Sequence, residues 1–397
     1  MRQVRIVGAG ITSFGKFLDR SLRSLVTEAV GGAMADSGLT PEQVEAVFSG
    51  NAAAGLITDQ EMIRGQVALR ETGLLGKPIY NVENACASGS SALNLAWMAV
   101  ASGQCDVALA VGAEKMAHED KVRTFRALAA AVDLEEVRAG GGGGIDDVLA
   151  GGGTRSNFMD IYANQAKAYM EVSGATQRNF AEVAVKSHKF ASMNPHAQYR
   201  QRMTVEEVLA AREVSWPLTV PMCSPIGDGA AAVVLCTDEV ADRLGLDGVD
   251  ILASVVVSGS LEAPHAMERA ITKAYERAGV GPEDLDVVEC HDAAAPAELM
   301  CYESIGLCGP GEGVKLLEAG ETDLGGRVPV NTSGGLLSKG HPVGATGVAQ
   351  VVELVTQLRG RAGERQVEGA RVALAQNGGG TIGTDAGAMA ITVLAKR

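Results

Sequence analysis

Two stretches of this chain run in step 241 residues apart, and this duplication limits the fold more than any other feature of the sequence. SGLTPEQVEAVFSGNAAA (Ser37 to Ala54) lies over AGVGPEDLDVVECHDAAA (Ala278 to Ala295), with Gly38 over Gly279, Pro41 over Pro282 and Glu42 over Glu283. ACASGSSA (Ala85 to Ala92) lies over GHPVGATG (Gly340 to Gly347) at an offset of 255, and DVALA (Asp106 to Ala110) over RVALA (Arg371 to Ala375) at an offset of 265. An internal repeat of this length implies two related βα halves.

Hydrophobic periodicity gives the halves their class. Strand and helix patterns alternate: Val4 to Val7, Leu22 to Met34, Val44 to Phe48, Glu61 to Thr72, Pro78 to Val82, Cys86 to Ser102 and Val107 to Val111. This is α/β layering, and the unbroken apolar run at Val107 to Val111 reads as a strand buried on both faces. From His118 to about Val220 the chain turns polar, with glycine runs at Gly140 to Gly144 and Gly151 to Gly153 and helical patterns at Met159 to Glu171 and Phe180 to Ala191. That segment reads as a long excursion from the sheet. Alternation resumes at Ala230 to Leu235, Ile251 to Val257, Ala266 to Ala278, Val287 to Cys290, Pro296 to Ile305, Gly344 to Leu358, Val372 to Gln376 and Ala388 to Leu394.

Composition narrows the functional classes. A net charge of −14 removes any general attraction to polyphosphate or to an anionic membrane surface, so no nucleic acid and no membrane is expected as a partner. No uninterrupted apolar run is long enough to span a bilayer, and no export leader precedes the first strand. The cysteines at 86, 105, 223, 236, 290, 301 and 308 contain no CxxC, which argues against a disulfide framework or a structural zinc site and for a reducing cytoplasm. VGAGITSFG (Val7 to Gly15) superficially resembles a dinucleotide-binding turn, but Ser13 stands at the third glycine position and no acidic residue follows at the right distance.

The repeat also makes a chemical statement. It puts Cys86 and His341 at equivalent places, each opening a helix rich in small residues, and sets His291, just after a strand, opposite Gly50. A helix N-terminus lowers a thiol pKa and offers free N–H groups to an oxyanion. If the halves pair about a pseudo-twofold axis, Cys86, His291 and His341 converge as a Cys/His nucleophilic site. Taken singly, each has a blander reading: Cys86 as a small core residue, His291 as a strand end, His341 as a helix-start residue. The spacing within the repeat favours the joint one. Cys290, Cys301 and Cys308 read as core thiols, and His118, His188, His196 and His265 as surface or loop residues.

At these residues the chain resembles the thiolase superfamily over nearly its whole length. NVENACASGSSAL (Asn81 to Leu93) resembles the nucleophile segment, SPIGDGAAAVVL (Ser224 to Leu235) the return to the sheet, NTSGGLLSKGHPVGATG (Asn331 to Gly347) the catalytic-histidine signature, and QNGGGTIGTDAG (Gln376 to Gly387) the last glycine-rich loop. HDAAAPAELMCYESIGL (His291 to Leu307) is similar to the branch of sterol-carrier-protein and archaeal-type thiolases, where His replaces the usual Asn. The second cysteine of ordinary thiolases is replaced by Gln376, and that of the sterol-carrier-protein type by Ala293, so the group that moves the α-carbon proton is unassigned.

The resemblance implies an α/β thiolase fold of two duplicated βαβαβ halves in a five-layered α-β-α-β-α core. Residues 1–117 and 221–247 would form the first half, 118–220 an inserted loop domain covering the pantetheine arm, and 248–397 the second half. It implies an acyltransferase that cleaves a 3-oxoacyl-CoA, or forms one, through a Cys86 acyl-enzyme. His341 would serve as base, His291 and His341 as donors to the enolate or thioester oxygen, and the backbone N–H groups of Cys86 and Gly378 as the second oxyanion site. Coenzyme A would be substrate, with no permanently bound cofactor and no metal. A homodimer or dimer of dimers is implied, as is a small zinc-ribbon and OB-fold partner protein. Two alternatives use the same residues: a synthase that transfers acyl groups without CoA release, and a non-catalytic acyl-CoA-binding scaffold. The run Ala293 to Ala295 points to a substrate wider than acetoacetyl-CoA.

Overall fold

The computed structural model describes residues 2–139 and 157–397, so the two glycine runs lie outside the described residues. The first half contains β1 (Val4–Ile11), α1 (Leu22–Ser37), β2 (Ala46–Gly50), β3 (Ile79–Val82), α2 (Ser88–Ser102) and β4 (Val107–Glu114). The excursion follows with α3 (Asn157–Ser173) and α4 (Gln177–Ser192), and β5 (Gly229–Thr237) returns to the sheet. The second half contributes β6 (Val249–Ser258), α5 (Ala266–Ala278), β7 (Val287–Glu289), α6 (Ala295–Ser304), α7 (Thr346–Leu358), β8 (Val372–Ile382) and β9 (Asp385–Lys396).

The strands run β3-β2-β4-β5-β1 in the first half and β6-β9-β8-β7 in the second. Only the pairs Arg5↔Asp250 and Ile6↔Val249 join β1 to β6 and make the two sheets continuous. Beyond β7, Val288 bridges Val330 in parallel, in the place that β3 takes beside β2. The register repeats as well. Ala46 opposite Ala108 in β2/β4 recurs as Val287 opposite Ala373 in β7/β8, related by the same offsets of 241 and 265. Gly38 and Gly279 close α1 and α5 identically, each in the left-handed conformation at φ 69°.

Alternation along the strands assigns the layers. Val7, Val47, Leu109, Val111 and Val234 face α1, whose Val26, Ala29, Val30 and Ala33 cover them. The opposite faces, with Ile6, Phe48, Ala108, Ala110, Val233 and Leu235, meet α2 and α7, which also cover Ile251, Ala373, Ala375 and Leu394 of the second sheet. The far side of that sheet, with Val255, Val288, Leu374, Ile391 and Val393, packs under α5, α6 and α4. The order is therefore α-β-α-β-α, as expected for this family of folds, and α4 of the excursion is part of the second half's core.

Three local expectations change. The pattern over Glu61 to Thr72 yields only one short helix, Arg64–Ala68, because Ile63 just before it adopts a left-handed φ of 48° and keeps the turn from starting earlier; a second short helix, Ala54–Thr58, lies upstream of it. The helix expected from Cys86 begins at Ser88, and Cys86 sits in a preceding 3-10 turn, Ala85–Ala87. His188 is buried on α4, with Nδ1 2.8 Å from the carbonyl of Gln201, because the excursion docks on the second half instead of lying in solvent. Among the described residues no helix is long and apolar enough to cross a membrane.

The layers approach closely beside the loop that follows His341. A Cβ placed on Gly112 would come within 2.5 Å of the Gly344 carbonyl oxygen, and one on Gly89 within 2.7 Å of the same atom. Backbone has no rotamer with which to escape. Gly112→Ala should therefore lower stability by about 1–3 kcal/mol, the usual cost of overpacking, read as a fall in the urea midpoint at unchanged slope. It should also slow Cys86 alkylation in the folded protein by displacing the His341 loop. Wild-type values for both would contradict this account of the packing.

Candidate active site

Cys86 reaches the centre through a strained turn. Ala85, just before it, adopts φ 47°, a left-handed conformation costly for a residue with a Cβ. The turn is pinned by Ser88, whose Oγ accepts from the N–H of Asn84 at 2.9 Å and donates to the Ala85 carbonyl at 2.6 Å. The Cys86 sulfur receives backbone N–H groups from Gly380 and from Cys86 itself.

His341 is carried by a buried loop that carboxylates hold from three sides. Glu289 accepts from Ser333 N–H at 2.9 Å and Oγ at 2.6 Å, Asp292 accepts from Leu336 N–H at 2.7 Å, and Glu114 accepts from Gly344 N–H at 3.1 Å. Glu114 also takes the N–H groups of Ala52 and Ala53 and the Asn51 amide, so it ties the ends of two first-half strands to the second half's histidine loop. Thr346 Oγ1 lies 2.7 Å from His341 Nδ1 and donates its single proton to the Pro342 carbonyl at 3.1 Å. It is then an acceptor toward the ring, which assigns the proton to Nδ1 and leaves Nε2 with a lone pair.

His291 follows β7, and its backbone N–H donates to Gln376 Oε1 at 2.8 Å. Gln376 donates in turn to the Met389 sulfur at 3.2 Å, so the residue at the vacant second-cysteine position orients His291. The Nε2 atom of His291 is buried without a partner among the described residues. The two imidazoles meet edge to face, with centroids 5.1 Å apart, and the Cys86 sulfur and a nitrogen of each ring all lie within 4.8 Å of one another. Such spacing would let one soft metal ion bridge the three, or let an imidazole reach the thiol proton.

Burial governs the protonation of this cluster. It pushes the Cys86 thiol up to about 12, with the Glu114 charge adding to the shift and the two backbone N–H groups opposing it. It pushes His291 down to about 4 and His341 well below the ordinary imidazole value, the latter helped by His291 and Lys339. The helix-start expectation of a stabilised thiolate is therefore corrected: desolvation outweighs the turn's N–H groups, and the resting pair is neutral thiol and neutral imidazole.

These groups lie on the wall of a cavity of about 820 Å³. Phe125, Met159, Ile161 and Met300 make much of its lining apolar, Ala293 and Gly378 form part of its floor, and the cations Lys16 and Arg212 lie along it. A Cβ on Gly378 would stand 3.6 Å from His291 Nδ1, so the expected oxyanion residue does border the histidines. Sequence reasoning brought Cys86, His291, His341 and Gly378 to one place but missed Thr346, Glu114 and Gly380. The signal for Thr346 was its place in the same glycine-rich signature, five residues after His341.

Comparison with known proteins places these residues in a family. The profile described as "Thiolase, N-terminal domain" matches residues 4–239, and "Thiolase C-terminal domain-like" matches 255–392. The chain is 41% identical to "Acetyl-CoA acetyltransferase" of Methanothermobacter thermautotrophicus, over 97% of this chain and 98% of that one. It is 37% identical to "Benzoylsuccinyl-CoA thiolase subunit BbsB" of Thauera aromatica, over 96% and 95% of the two chains. Among solved structures, "Ltp2-ChsH2(DUF35) aldolase" superposes with a TM-score of 0.79 at 25% identity, covering 99% of this chain and 98% of that one.

Neutral resting groups make a direct prediction. Because the folded His341 pKa is depressed, the ring carries no proton through the range in which an ordinary imidazole titrates. The rate of Cys86 alkylation by iodoacetamide, followed between about pH 5 and about pH 9, should then rise with the small thiolate fraction and show no step near the usual histidine value. A step there would mean that His341 titrates normally. Thr346→Val should slow the reaction at every pH by releasing the ring.

Proposed function

The chain belongs to the thiolase family, and on that premise we propose the catalytic roles of its residues and its substrate class. It is a CoA-dependent acyltransferase of the thiolase type. One observation carries the assignment of roles: a thiol and two imidazoles gathered within 4.8 Å on the wall of a largely apolar cavity.

In the cleavage direction His341 Nε2 takes the Cys86 proton as the sulfur attacks the β-carbonyl of a 3-oxoacyl-CoA. The oxyanion formed there is held by the N–H groups of Cys86 and Gly378, and the carbon–carbon bond then breaks. The departing enolate oxygen accepts from His291, whose unpartnered Nε2 supports this role. Coenzyme A then receives the acyl group as a substrate, with no resident cofactor or metal required. Lys16 and Arg212 are the cations available along the cavity to the phosphates of CoA.

An apolar cavity of about 820 Å³ with alanine at 293 supports an acyl group wider than acetoacetyl, in keeping with the aromatic substrate in the name of the Thauera relative. The inferred division of labour is catalytic halves at 1–117 with 221–247 and at 248–397, and a cover at 118–220. A homodimer, or a pair of dimers, through the open edge of β3 is supported by Tyr80 and Met98, 52% and 50% exposed beside it. A small zinc-ribbon and OB-fold partner is supported by the two-component name of the superposed aldolase. A cytoplasmic setting fits seven free cysteines.

Intact-protein mass spectrometry after exposure to acyl-CoA should show an acyl adduct that Cys86→Ala abolishes; an adduct persisting in that variant would remove Cys86 from the mechanism. Separately, His291→Asn keeps a hydrogen-bond donor and should retain part of the cleavage activity, whereas His291→Ala should lose on the order of 10²-fold or more. Acylation of Cys86 by a simple thioester should survive both changes. Equal inactivity of the two variants together with failed acylation would reassign His291 as a base.

A further inference from the structure

We propose that the hydroxyl of Tyr162, on α3, moves the proton at the α-carbon of the substrate. This rests on the thiolase reading above and fills the one role it leaves open. The step needs an exchangeable proton that faces the cavity near Cys86 and His291. The two positions at which the resembling branches carry a thiol hold Ala293 and Gln376 here, and Gln376 is engaged in orienting His291.

Tyr162 lines the same cavity as Cys86, His291, Ala293 and Gln376. Among the described residues its hydroxyl has no hydrogen-bond partner. Burial, then the charges of Cys86 and Asp292, raise its pKa, which also places the phenol within electrostatic reach of the nucleophile. It therefore keeps its proton at neutral pH and yields it only to a stronger base, which an enolate carbon is. Several other groups on the wall are engaged elsewhere, Glu83 among them, whose carboxylate accepts from the Ala85 N–H at 2.6 Å. Ser304 Oγ donates to the Met300 carbonyl at 2.8 Å, the Cys301 sulfur faces Gln376 Oε1 at 3.8 Å, and Cys223 packs against the second half's core. Tyr199 is 40% exposed and stacks on His188.

The protons balance over a full turnover. Cys86 gives its proton to His341, its sulfur bonds to the β-carbon, and the bond between α- and β-carbons breaks with its electron pair passing to the enolate. Tyr162 protonates the α-carbon, leaving a phenolate and an acyl-CoA that departs. The phenolate then takes the thiol proton of incoming CoA. The CoA thiolate attacks the acyl-enzyme, the bond to Cys86 breaks, and His341 returns the first proton to the Cys86 sulfur.

Deuterium wash-out from acetyl-CoA labelled on its methyl group, followed by mass spectrometry in ordinary water, reads this proton alone. The wild-type protein should exchange the label, and Tyr162→Phe should slow exchange by roughly 10²-fold or more, while acylation of Cys86 by an acetyl thioester of a thiophenol, whose thiolate leaves without taking a proton, proceeds as in wild type. Exchange at the wild-type rate in Tyr162→Phe would overturn the assignment and leave the thiolase reading intact. Loss of exchange in Cys223→Ala or Cys301→Ala with Tyr162→Phe unaffected would transfer the role to that thiol. Loss of acylation by that thiophenol ester along with loss of exchange in Tyr162→Phe would make the residue structural. A wild-type protein that is neither acylated nor able to exchange would defeat the thiolase reading itself.

Discussion

The structure depends on a constraint at its centre: two helices, α2 and α7, must fit in a single layer between two sheets and satisfy both. α7 buries nearly its whole circumference and α2 all but a stripe at Leu95 and Met98, and the contacts are made largely by Ala, Val, Ser and Gly. Aromatic residues are only 4% of the chain, which leaves small side chains to fill this space and lets backbones approach until Gly89 and Gly112 face the carbonyl of Gly344. Because the two helices are repeat equivalents, their N-terminal ends reach the same region of the layer. Cys86 and His341 meet there for the same reason that the halves are alike.

Enclosing the site this tightly sets its electrostatics. Desolvation holds Cys86 as a thiol and both histidines neutral, so charge arises only during reaction and must find its donors already in place. Glu114, Glu289 and Asp292 bear on this without touching the reacting atoms. Each collects backbone N–H groups of the loops around the site and gives them no freedom to follow a moving charge. An unpartnered nitrogen such as Nε2 of His291 is expensive to bury, and under the proposed roles a substrate oxygen would relieve that cost.

Much of this was legible in the sequence, and the parts that were not share a cause. The repeat offsets recur in the strand register, with Ala46 opposite Ala108 and Val287 opposite Ala373, because period and spacing are properties of the chain alone. Cys86, His291 and His341 were legible for the same reason. The protonation of Cys86 was not, since a helix-start argument counts nearby N–H groups but not the water excluded by layers distant in sequence. Nor was the place of His188: the excursion is polar overall, yet Phe180, Val183 and Ala184 dock α4 on the second sheet's core. Glu114 lies outside every signature segment, and Thr346, though inside the glycine-rich one, owes its role to the Pro342 carbonyl that takes its proton.

Gln376 shows how one substitution redistributes work within a duplicated fold. A carboxamide has no proton to exchange with carbon, but it has an oxygen for the His291 N–H and an amino group for Met389, so a position that carries chemistry elsewhere in the family here fixes geometry. Under the proposed roles, Cys86 is directed at the β-carbon and the two neutral imidazoles are occupied, while the other thiols on the cavity, Cys301 and Cys223, face Gln376 Oε1 and pack on the second half's core. Any group serving the α-carbon has to approach from another wall, and α3 of the excursion forms part of that wall. On this reading the segment that covers the pantetheine arm also delivers the proton. Proton transfer and the covering of the thioester would then fall to the same helix, with Tyr162 on the cavity wall before any substrate arrives.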